Sequence, residues 1–182
     1  MKGIFGILRN LNVISKRILS PLMIIIFLAL FLENQAQASP TLNAFVENKK
    51  GQQISLNEFK GKVVYLDFWA SWCGPCRKSF PWMQAVYSKY QSQGLVIIAV
   101  NLDTEKNLAN QFLTELANRE KLNVSFPIRY DPEGKLANQF DLQGMPSSYL
   151  FDRSGKLVTQ HVGFFEKNKT QYEQELVHLL RK

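Results

Sequence analysis

An apolar run that leads directly into a closely spaced pair of cysteines is the feature that most constrains this chain. Residues 62–70 are almost continuously apolar, which is typical of a strand buried on both faces of a sheet. Residues 75–93 carry apolar side chains at three- and four-residue spacing, which predicts a helix. Cys73 and Cys76, the two cysteines of the chain, are therefore expected where a central strand ends and a helix begins.

The spacing of the cysteines favours redox chemistry over three alternatives. A disulfide that closes so short a loop stabilises a fold by only about 2 kcal/mol, so the pair would be a poor structural staple. Zinc or an iron–sulfur cluster needs about four ligands, and only His161 and His178 could supplement the two thiolates. The flanking Gly74 and Pro75 argue against ordinary buried cysteines. We expect a redox-active dithiol with no bound metal or cofactor.

The predicted helix assigns a role to each residue of the motif. Cys73 would lie at the helix N-terminus, where unpaired N–H groups and the helix dipole favour a thiolate, so it is the expected nucleophile. Cys76, one turn further, would be more buried and would resolve the mixed disulfide. Gly74 would let a substrate backbone approach, and Pro75 is tolerated in the first turn. Trp72 is expected to form a lip of the substrate-binding surface.

Asp67 interrupts the apolar strand near its end. A carboxyl in such a run is unfavourable unless it is solvated, paired or protonated. One interpretation is an acid at a strand end that faces water. The other is a buried acid of raised pKa that exchanges protons with Cys76, and the position six residues before Cys73 favours it.

The stretch from Val64 to Cys76 closely resembles the active site of the thioredoxin superfamily, and the resemblance continues at residues 144–152. It implies a thioredoxin-like three-layer α/β/α sandwich with a mixed central sheet and an N-terminal β-hairpin. It also implies that Pro146 follows a cis peptide bond and faces the dithiol. The backbone of Met145 would then pair with an extended substrate segment.

Two features make the chain similar to the exported TlpA- and ResA-like branch of that superfamily. Pro81 follows the motif closely, and residues 104–130 insert about a helix and a strand between the halves of the fold. The chain departs from the branch at Ser79, where many members have a glutamate, so Asp67 is expected to be the sole buried acid. The resemblance implies an oxidoreductase of protein disulfides, in cytochrome c maturation or in general disulfide reduction.

Residues 1–38 have the order of a secretory signal peptide, and residues 39–182 are expected to form one domain. Basic residues precede an apolar stretch at 22–32, and cleavage is expected after Ala38. The alternative is an uncleaved anchor built from residues 18–32, although a span usually needs about 20 apolar residues. In either case the domain would be periplasmic, or anchored in the inner membrane and facing the periplasm.

The charge of the chain gives little support to nucleic-acid binding. The formal net charge is +7, but residues 39–182 hold 18 basic and 14 acidic residues, and these are interspersed. Disulfide-containing proteins are the expected partners. A reductase in an oxidising compartment also needs electrons, which implies a membrane-embedded thiol reductase as donor. A monomer is expected.

The Gly-Pro dipeptide predicts the direction of the reaction. Thioredoxin shares it and has a potential of about −270 mV, whereas the oxidant DsbA lies near −120 mV, so a reductase is favoured. Arg77 and Lys78 are expected to point to solvent. An oxidase or isomerase of secreted proteins is one alternative, and a Cu(I)-handling protein is another. His161 would be the third copper ligand, but an exposed strand histidine is the more ordinary interpretation.

The remaining pattern predicts the element order. The expected elements are a hairpin at 41–56, core strands at 63–68 and 95–100, a helix capped by Thr104, a strand at 126–130, a short helix ending near Phe140, a hairpin at 147–162 and a final helix at 167–180. Trp69 is expected in the core, and Trp82 stays unassigned.

Overall fold

The structure is a computed structural model that describes residues 39–182, so the targeting segment expected at 1–38 lies outside the described residues. Seven strands are present in this part of the chain: β1 (Phe45–Glu47), β2 (Gln53–Ser55), β3 (Val63–Trp69), β4 (Leu95–Asn101), β5 (Ile128–Tyr130), β6 (Ser147–Phe151) and β7 (Leu157–Val162). They form one mixed sheet in the order β2-β1-β5-β4-β3-β6-β7. The expected N-terminal hairpin is β1 paired with β2.

Helices flank the sheet, which confirms the expected thioredoxin-like α/β architecture. The described helices are α1 (Gly74–Tyr90), α2 (Lys106–Arg119), α3 (Lys135–Gln139) and α4 (Lys169–Leu180), with 3-10 turns at Leu56–Phe59, Gln91–Gln93 and Glu166–Asn168. Within residues 39–182, none of the helices has the length and apolarity needed to cross a membrane.

The central strand β3 divides the interior into two hydrophobic cores. It pairs in parallel with β4 and antiparallel with β6, and all its residues are buried, as the apolar run predicts. Tyr65 and Trp69 pack in the core that contains α1, α2 and α4 together with both cysteines. Leu66 and Phe68 point to the other core, which is formed with α3 and the N-terminal hairpin. Because successive side chains of β3 point to opposite faces of the sheet, only every second side chain lies on the face with the dithiol.

Two predicted boundaries are wrong for identifiable reasons. Thr104 does not cap α2, because the helix begins at Lys106 with Glu105 in the cap position. Asp103 is hydrogen-bonded back to the end of β4, which delays the helical turn. The strand expected from Phe126 begins only at Ile128, since Pro127 has no N–H to donate and contributes its carbonyl to Ala99 instead.

The end of the sheet opposite the dithiol is tied together by Arg153. Its guanidinium donates to the carbonyls of Gly61, Gln93 and Leu180 at 3.1–3.2 Å. A methyl carbon of Leu42 lies 3.6 Å from the position that a Cβ on Gly155 would take, so the described chain enters the fold at this end.

Basic residues are concentrated at this same end, which we call the basic end. Among the described residues, its charged side chains outside ion pairs are Lys60, Lys62, Arg153, Lys156, Arg181 and Lys182, opposed by Glu58 and Asp152. The nearby Lys89–Glu173 ion pair adds no net charge. The rest of residues 39–182 holds 12 basic and 12 acidic side chains. The net positive charge of the domain therefore comes from the part furthest from the cysteines.

Candidate active site

Cys73 and Cys76 lie at the junction between β3 and α1 and form a disulfide, with their Cα atoms 5.3 Å apart. Cys73 occupies the N-cap of α1 and Cys76 lies in its first turn. The exposed fraction is 6% for Cys73 and 0% for Cys76. Only the sulfur of Cys73 can therefore be reached from solvent.

The start of α1 directs backbone donors at Cys73. The N–H of Cys76 donates to Sγ of Cys73 at 3.2 Å, and the N–H of Arg77 donates to the carbonyl of Cys73 at 3.4 Å. An unpaired N–H at a helix N-terminus stabilises negative charge on the atom that it meets. In the reduced protein the same donor stabilises a Cys73 thiolate.

The surface around the dithiol is apolar and open. Trp72 is 72% exposed, and Gly74 and Pro75 are exposed beside it. Pro146 is buried and follows a cis peptide bond from Met145, which packs partly exposed against the core cluster that holds both cysteines. Trp72, Gly74 and Pro75 thus present exposed surface directly beside the two cysteines in the chain.

Asp67 is buried on the face of β3 that carries the dithiol core. Its exposed fraction is 1%, and its neighbours across the sheet are Ala99 and Ser148. Oδ2 of Asp67 has no hydrogen-bond partner within residues 39–182. Burial raises the pKa of Asp67 well above its ordinary value. The structure thus excludes an acid at a strand end that faces water.

Asp67 is not the sole buried acid, contrary to the expectation. Asp103 is 3% exposed, and its carboxylate accepts from the N–H and the hydroxyl of Ser71 at 3.0 Å and from the Asn101 amide at 2.8 Å. Asp131 is also buried and accepts from the N–H of Ala137 at 2.9 Å. Asp103 therefore fastens the loop before the dithiol to the end of β4.

Ser79 occupies the position where the related branch often has a glutamate. Its side chain is buried, and its hydroxyl donates to the carbonyl of Cys76 at 2.9 Å. The residue brings no charge to the dithiol. Asp67 is thus the acid on this face of β3 whose carboxylate oxygen lacks a partner in residues 39–182.

Arg77 does not point freely to solvent, so that expectation is wrong. Its guanidinium forms ion pairs with Glu115 at 3.0 Å and with Glu120 at 3.3 Å, and it lies 4.7 Å from the centre of the Phe112 ring. Lys78 is exposed, as expected. The inserted helix α2 therefore neutralises the cation nearest to the dithiol on α1.

His161 is half-buried rather than exposed. Its Nε2 lies 2.7 Å from Oε2 of Glu175, and its ring lies 4.7 Å from the ring of Tyr172. Among residues 39–182 there is no group of three or more His, Cys, Asp or Glu side chains placed to hold a metal ion. His161 thus pairs with a carboxylate of α4. A third copper ligand would instead lie beside the two thiolates.

The two other tryptophans lie in the core. Trp69 is fully buried, as expected, and packs against Phe80 and Phe112 with ring centres 4.9 and 4.8 Å away. Trp82 is 7% exposed and meets Tyr65 at 5.7 Å. These rings fill the space between β3 and the helices that carry the site.

A redox disulfide at the start of the helix that follows a central strand, together with a buried acid on that strand, defines a thiol-disulfide oxidoreductase of thioredoxin fold. The family model described as Redoxin matches residues 35–176. The chain therefore belongs to the Redoxin family within the thioredoxin superfamily.

Curated relatives support the same activity. The thiol-disulfide oxidoreductase ResA of Bacillus subtilis (strain 168) is 33% identical over 126 residues, which cover 69% of this chain and 67% of the relative. A ResA protein from Bacillus thuringiensis (strain Al Hakam) is 36% identical over 135 residues, covering 72% and 71%. This chain is a thiol-disulfide oxidoreductase that resembles them.

Solved structures support both fold and class. A protein assigned as thiol:disulfide interchange protein DsbE from Chlorobium tepidum is 39% identical, with a TM-score of 0.69 over 79% of this chain and 99% of that chain. StoA from Bacillus subtilis is 27% identical, with a TM-score of 0.58 over 74% of this chain and 98% of that chain. The fold predicted from the sequence is thus shared with thiol-disulfide enzymes.

Proposed function

We propose that this chain is an exported reductase of protein disulfides in which Cys73 attacks and Cys76 resolves. The difference in access between the two sulfurs carries the proposal, since Cys73 is 6% exposed and Cys76 is fully buried. The N–H directed at Sγ of Cys73 adds to it, because it favours the thiolate that attacks. The domain is residues 39–182, preceded by a signal peptide or anchor at 1–38.

The reaction conserves electrons and protons through a mixed disulfide. The Cys73 thiolate attacks one sulfur of the substrate disulfide, and the other sulfur leaves as a thiolate that solvent protonates. Asp67 then takes the proton of the Cys76 thiol. The Cys76 thiolate attacks Sγ of Cys73, which leaves the protein disulfide and releases the second substrate sulfur as a thiolate that takes a proton from solvent. The substrate gains two electrons, and the dithiol loses them.

The exposed surface around Cys73 suits an extended polypeptide. Trp72 supplies an apolar lip, and Gly74 and Pro75 leave space above the sulfur. Met145 and Pro146, joined by a cis peptide bond, would form the facing loop, where a substrate backbone would add to the sheet as a short strand. Protein disulfides are therefore the proposed substrates, in cytochrome c maturation or in general disulfide reduction.

The charges near the dithiol favour the reducing direction. An oxidant arises when the reduced form is strongly stabilised, as in DsbA. Here Arg77 is paired with Glu115 and Glu120, so it contributes little net charge to a Cys73 thiolate. Asp67, when ionised, opposes that thiolate. A reductant on the exported side then takes its electrons from a membrane-embedded thiol reductase.

A redox titration against glutathione or dithiothreitol tests the direction. We expect the Cys73–Cys76 couple to have a potential more reducing than about −220 mV, nearer to thioredoxin than to DsbA. A midpoint near about −120 mV would instead assign the protein as an oxidase of secreted proteins.

Single cysteine variants test the two roles. We expect Cys73→Ser to abolish disulfide reduction, and Cys76→Ser to attack normally but accumulate a mixed disulfide, because only Cys73 is both accessible and activated. Alkylation of the reduced protein near neutral pH should modify Cys73 first. Preferential modification of Cys76 would reverse the assignment. Trapping with Cys76→Ala in cells would identify the substrates.

A further inference from the structure

A row of polar side chains crosses the sheet from Asp67 to an edge strand. Asp67 on β3 lies directly opposite Ser148 on β6, and Ser148 lies directly opposite His161 on β7. Side chains at directly opposed positions share one face of a sheet, with Cβ atoms about 5 Å apart. The row therefore runs along the face of the sheet that carries the dithiol core.

The outer end of the row is an acid–base pair that reaches solvent. His161 and Glu175 approach to 2.7 Å, and their side chains are 19% and 27% exposed. An imidazole can accept a proton at one ring nitrogen and donate one from the other, so the pair can pass a proton on. The inner end, Asp67, is 1% exposed and has no comparable access to water.

Tyr65 lies two residues before Asp67 on the same face of β3, beside the inner groups of the row. Burial raises the pKa of Tyr65 well above its ordinary value, and the charge of Asp67 raises it further, while a hydrogen bond with Ser148 opposes the shift. Glu175 and Tyr172 on α4 also raise it. Tyr65 thus lies within range of Asp67, Ser148 and Glu175 inside an otherwise apolar core.

An acid that accepts a proton from Cys76 must return it to solvent before the next turnover. Cys76 is fully buried and Asp67 is 1% exposed, so neither group has its own access to water. We propose that Ser148 and the His161–Glu175 pair carry the Asp67 proton to solvent at the edge of the sheet. This inference rests on the proposed function of Asp67 as the acid–base partner of Cys76.

The proton balance of the route is simple. Asp67 takes the proton from the Cys76 thiol, the Ser148 hydroxyl passes one proton on as it receives another, and the His161–Glu175 pair releases one to water. The transfer runs in reverse when the disulfide is reduced again. The titratable groups that face Asp67 are Tyr65 on β3, Cys73 and Cys76 on α1, His161 on β7, and Tyr172 and Glu175 on α4.

Single-turnover reaction of the reduced full-length chain with a small aromatic disulfide that releases a coloured thiol tests the route. The first thiol reports the attack by Cys73, and the second reports the resolving step. We expect His161→Gln to slow only the second phase, by roughly tenfold at low buffer concentration. This factor is smaller than the usual loss of rate when a general base is removed. Added imidazole should restore that rate at constant pH, because the outer end of the row is open to solvent.

Ser148→Ala should slow the second phase in the same way, but imidazole should not restore it, because Ser148 is 5% exposed and an external base cannot replace it. Thr159→Val is the matched control, since Thr159 lies on β7 opposite Leu150 and outside the row. It should match the unaltered chain in both phases. If His161→Gln slowed the second phase only by loosening the packing, imidazole would not restore its rate.

The outcomes separate this inference from the proposed function. A second phase in His161→Gln or Ser148→Ala that equals that of the unaltered chain overturns the route, as does a slow His161→Gln that imidazole does not restore. If Asp67→Asn is slow in the second phase while both of these variants are fast, only the route fails. If Asp67→Asn is itself unaffected, the proposed role of Asp67 fails.

Discussion

The two buried carboxylates nearest the dithiol differ in how they are stabilised. Asp103 accepts hydrogen bonds from Ser71 and Asn101, so its charge is compensated and its role is to hold the loop. Asp67 keeps Oδ2 without a partner in residues 39–182, so its neutral form is favoured. A buried carboxyl without a hydrogen-bond partner is suited to gain and lose a proton during catalysis.

Replacing Asp67 should make stability less dependent on pH. Burial raises the native pKa of Asp67, whereas the unfolded carboxyl has an ordinary pKa of about 3.9. Between these values the unfolded chain has lost its proton and the native chain has not, so the unaltered protein loses stability as pH rises. Asp67→Asn should therefore gain relative stability from about pH 4 upward, by about 1.4 kcal/mol for each unit of pKa difference.

Urea unfolding of the two oxidised proteins at about pH 4, 6 and 8 measures this gain. The gain should level off above the native pKa of Asp67. Asp141→Asn is the control, because Asp141 is exposed and its positive φ of 48° is tolerated by asparagine. A difference between Asp67→Asn and the unaltered protein that is constant with pH would show that Asp67 is ionised or solvated in the native state.

At the scale of elements, the inserted helix α2 affects the dithiol through a cation on α1. The pairs of Arg77 with Glu115 and Glu120 compensate its charge, and the guanidinium packs over the Phe112 ring. The insertion is therefore part of the electrostatic environment of the active site. We therefore expect its sequence to influence the redox potential.

Releasing Arg77 should make the protein slightly more oxidising. In the double variant Glu115→Gln with Glu120→Gln, the free guanidinium would stabilise the Cys73 thiolate and hence the reduced form. Exposed charges interact by about 0.2–1 kcal/mol, so the midpoint should become less negative by on the order of 10 mV. Glu105→Gln removes an exposed carboxylate next to the same helix and is the control. An unchanged or more negative midpoint in the double variant would contradict this coupling.

The sequence predicts the elements well where burial follows a clear period. The pattern predicts the fully buried β3 and the amphipathic α1 to within one to a few residues, and with them the junction that carries the cysteines. The contacts of Arg77 could not be read from the sequence, because its partners lie 38 and 43 residues away. The Ser71–Asp103 contact, 32 residues apart, was missed for the same reason.

The polar row was missed for a different reason. Ser148 lies within the proline motif, and the sequence around His161 predicts only an exposed strand residue. Their alignment with Asp67 depends on the register of three strands, which includes an irregularity near Leu150 and Phe151. A shift of one residue would move every side chain to the other face, and the sequence does not fix that register.

For the whole molecule, the location of the net charge predicts whether electrostatic steering brings substrates to the dithiol. The basic end holds six basic and two acidic residues, and the rest of residues 39–182 is balanced at 12 of each. Long-range steering requires an uncompensated charge near the site. We therefore expect kcat/KM for insulin reduction to change by less than about twofold between about 50 and 500 mM salt.

Adding a charge beside the dithiol should make kcat/KM for disulfide reduction depend on salt concentration. Gln143→Lys places a cation on an exposed residue of the loop before Met145. This variant should reduce an acidic disulfide substrate faster at low salt and lose the advantage at high salt. A strong salt dependence of the unaltered protein would show that charges near the dithiol do steer substrates.

The entry of the chain beside Gly155 has a practical consequence for attaching this protein to a surface. The seven residues of β3 span about 20 Å between the end where the chain enters and the end that carries the dithiol. An electrode or bead coupled through a linker ahead of Leu42 would leave Cys73 facing outward. The orientation would be set by the fold, so every immobilised molecule could exchange electrons with disulfides in solution.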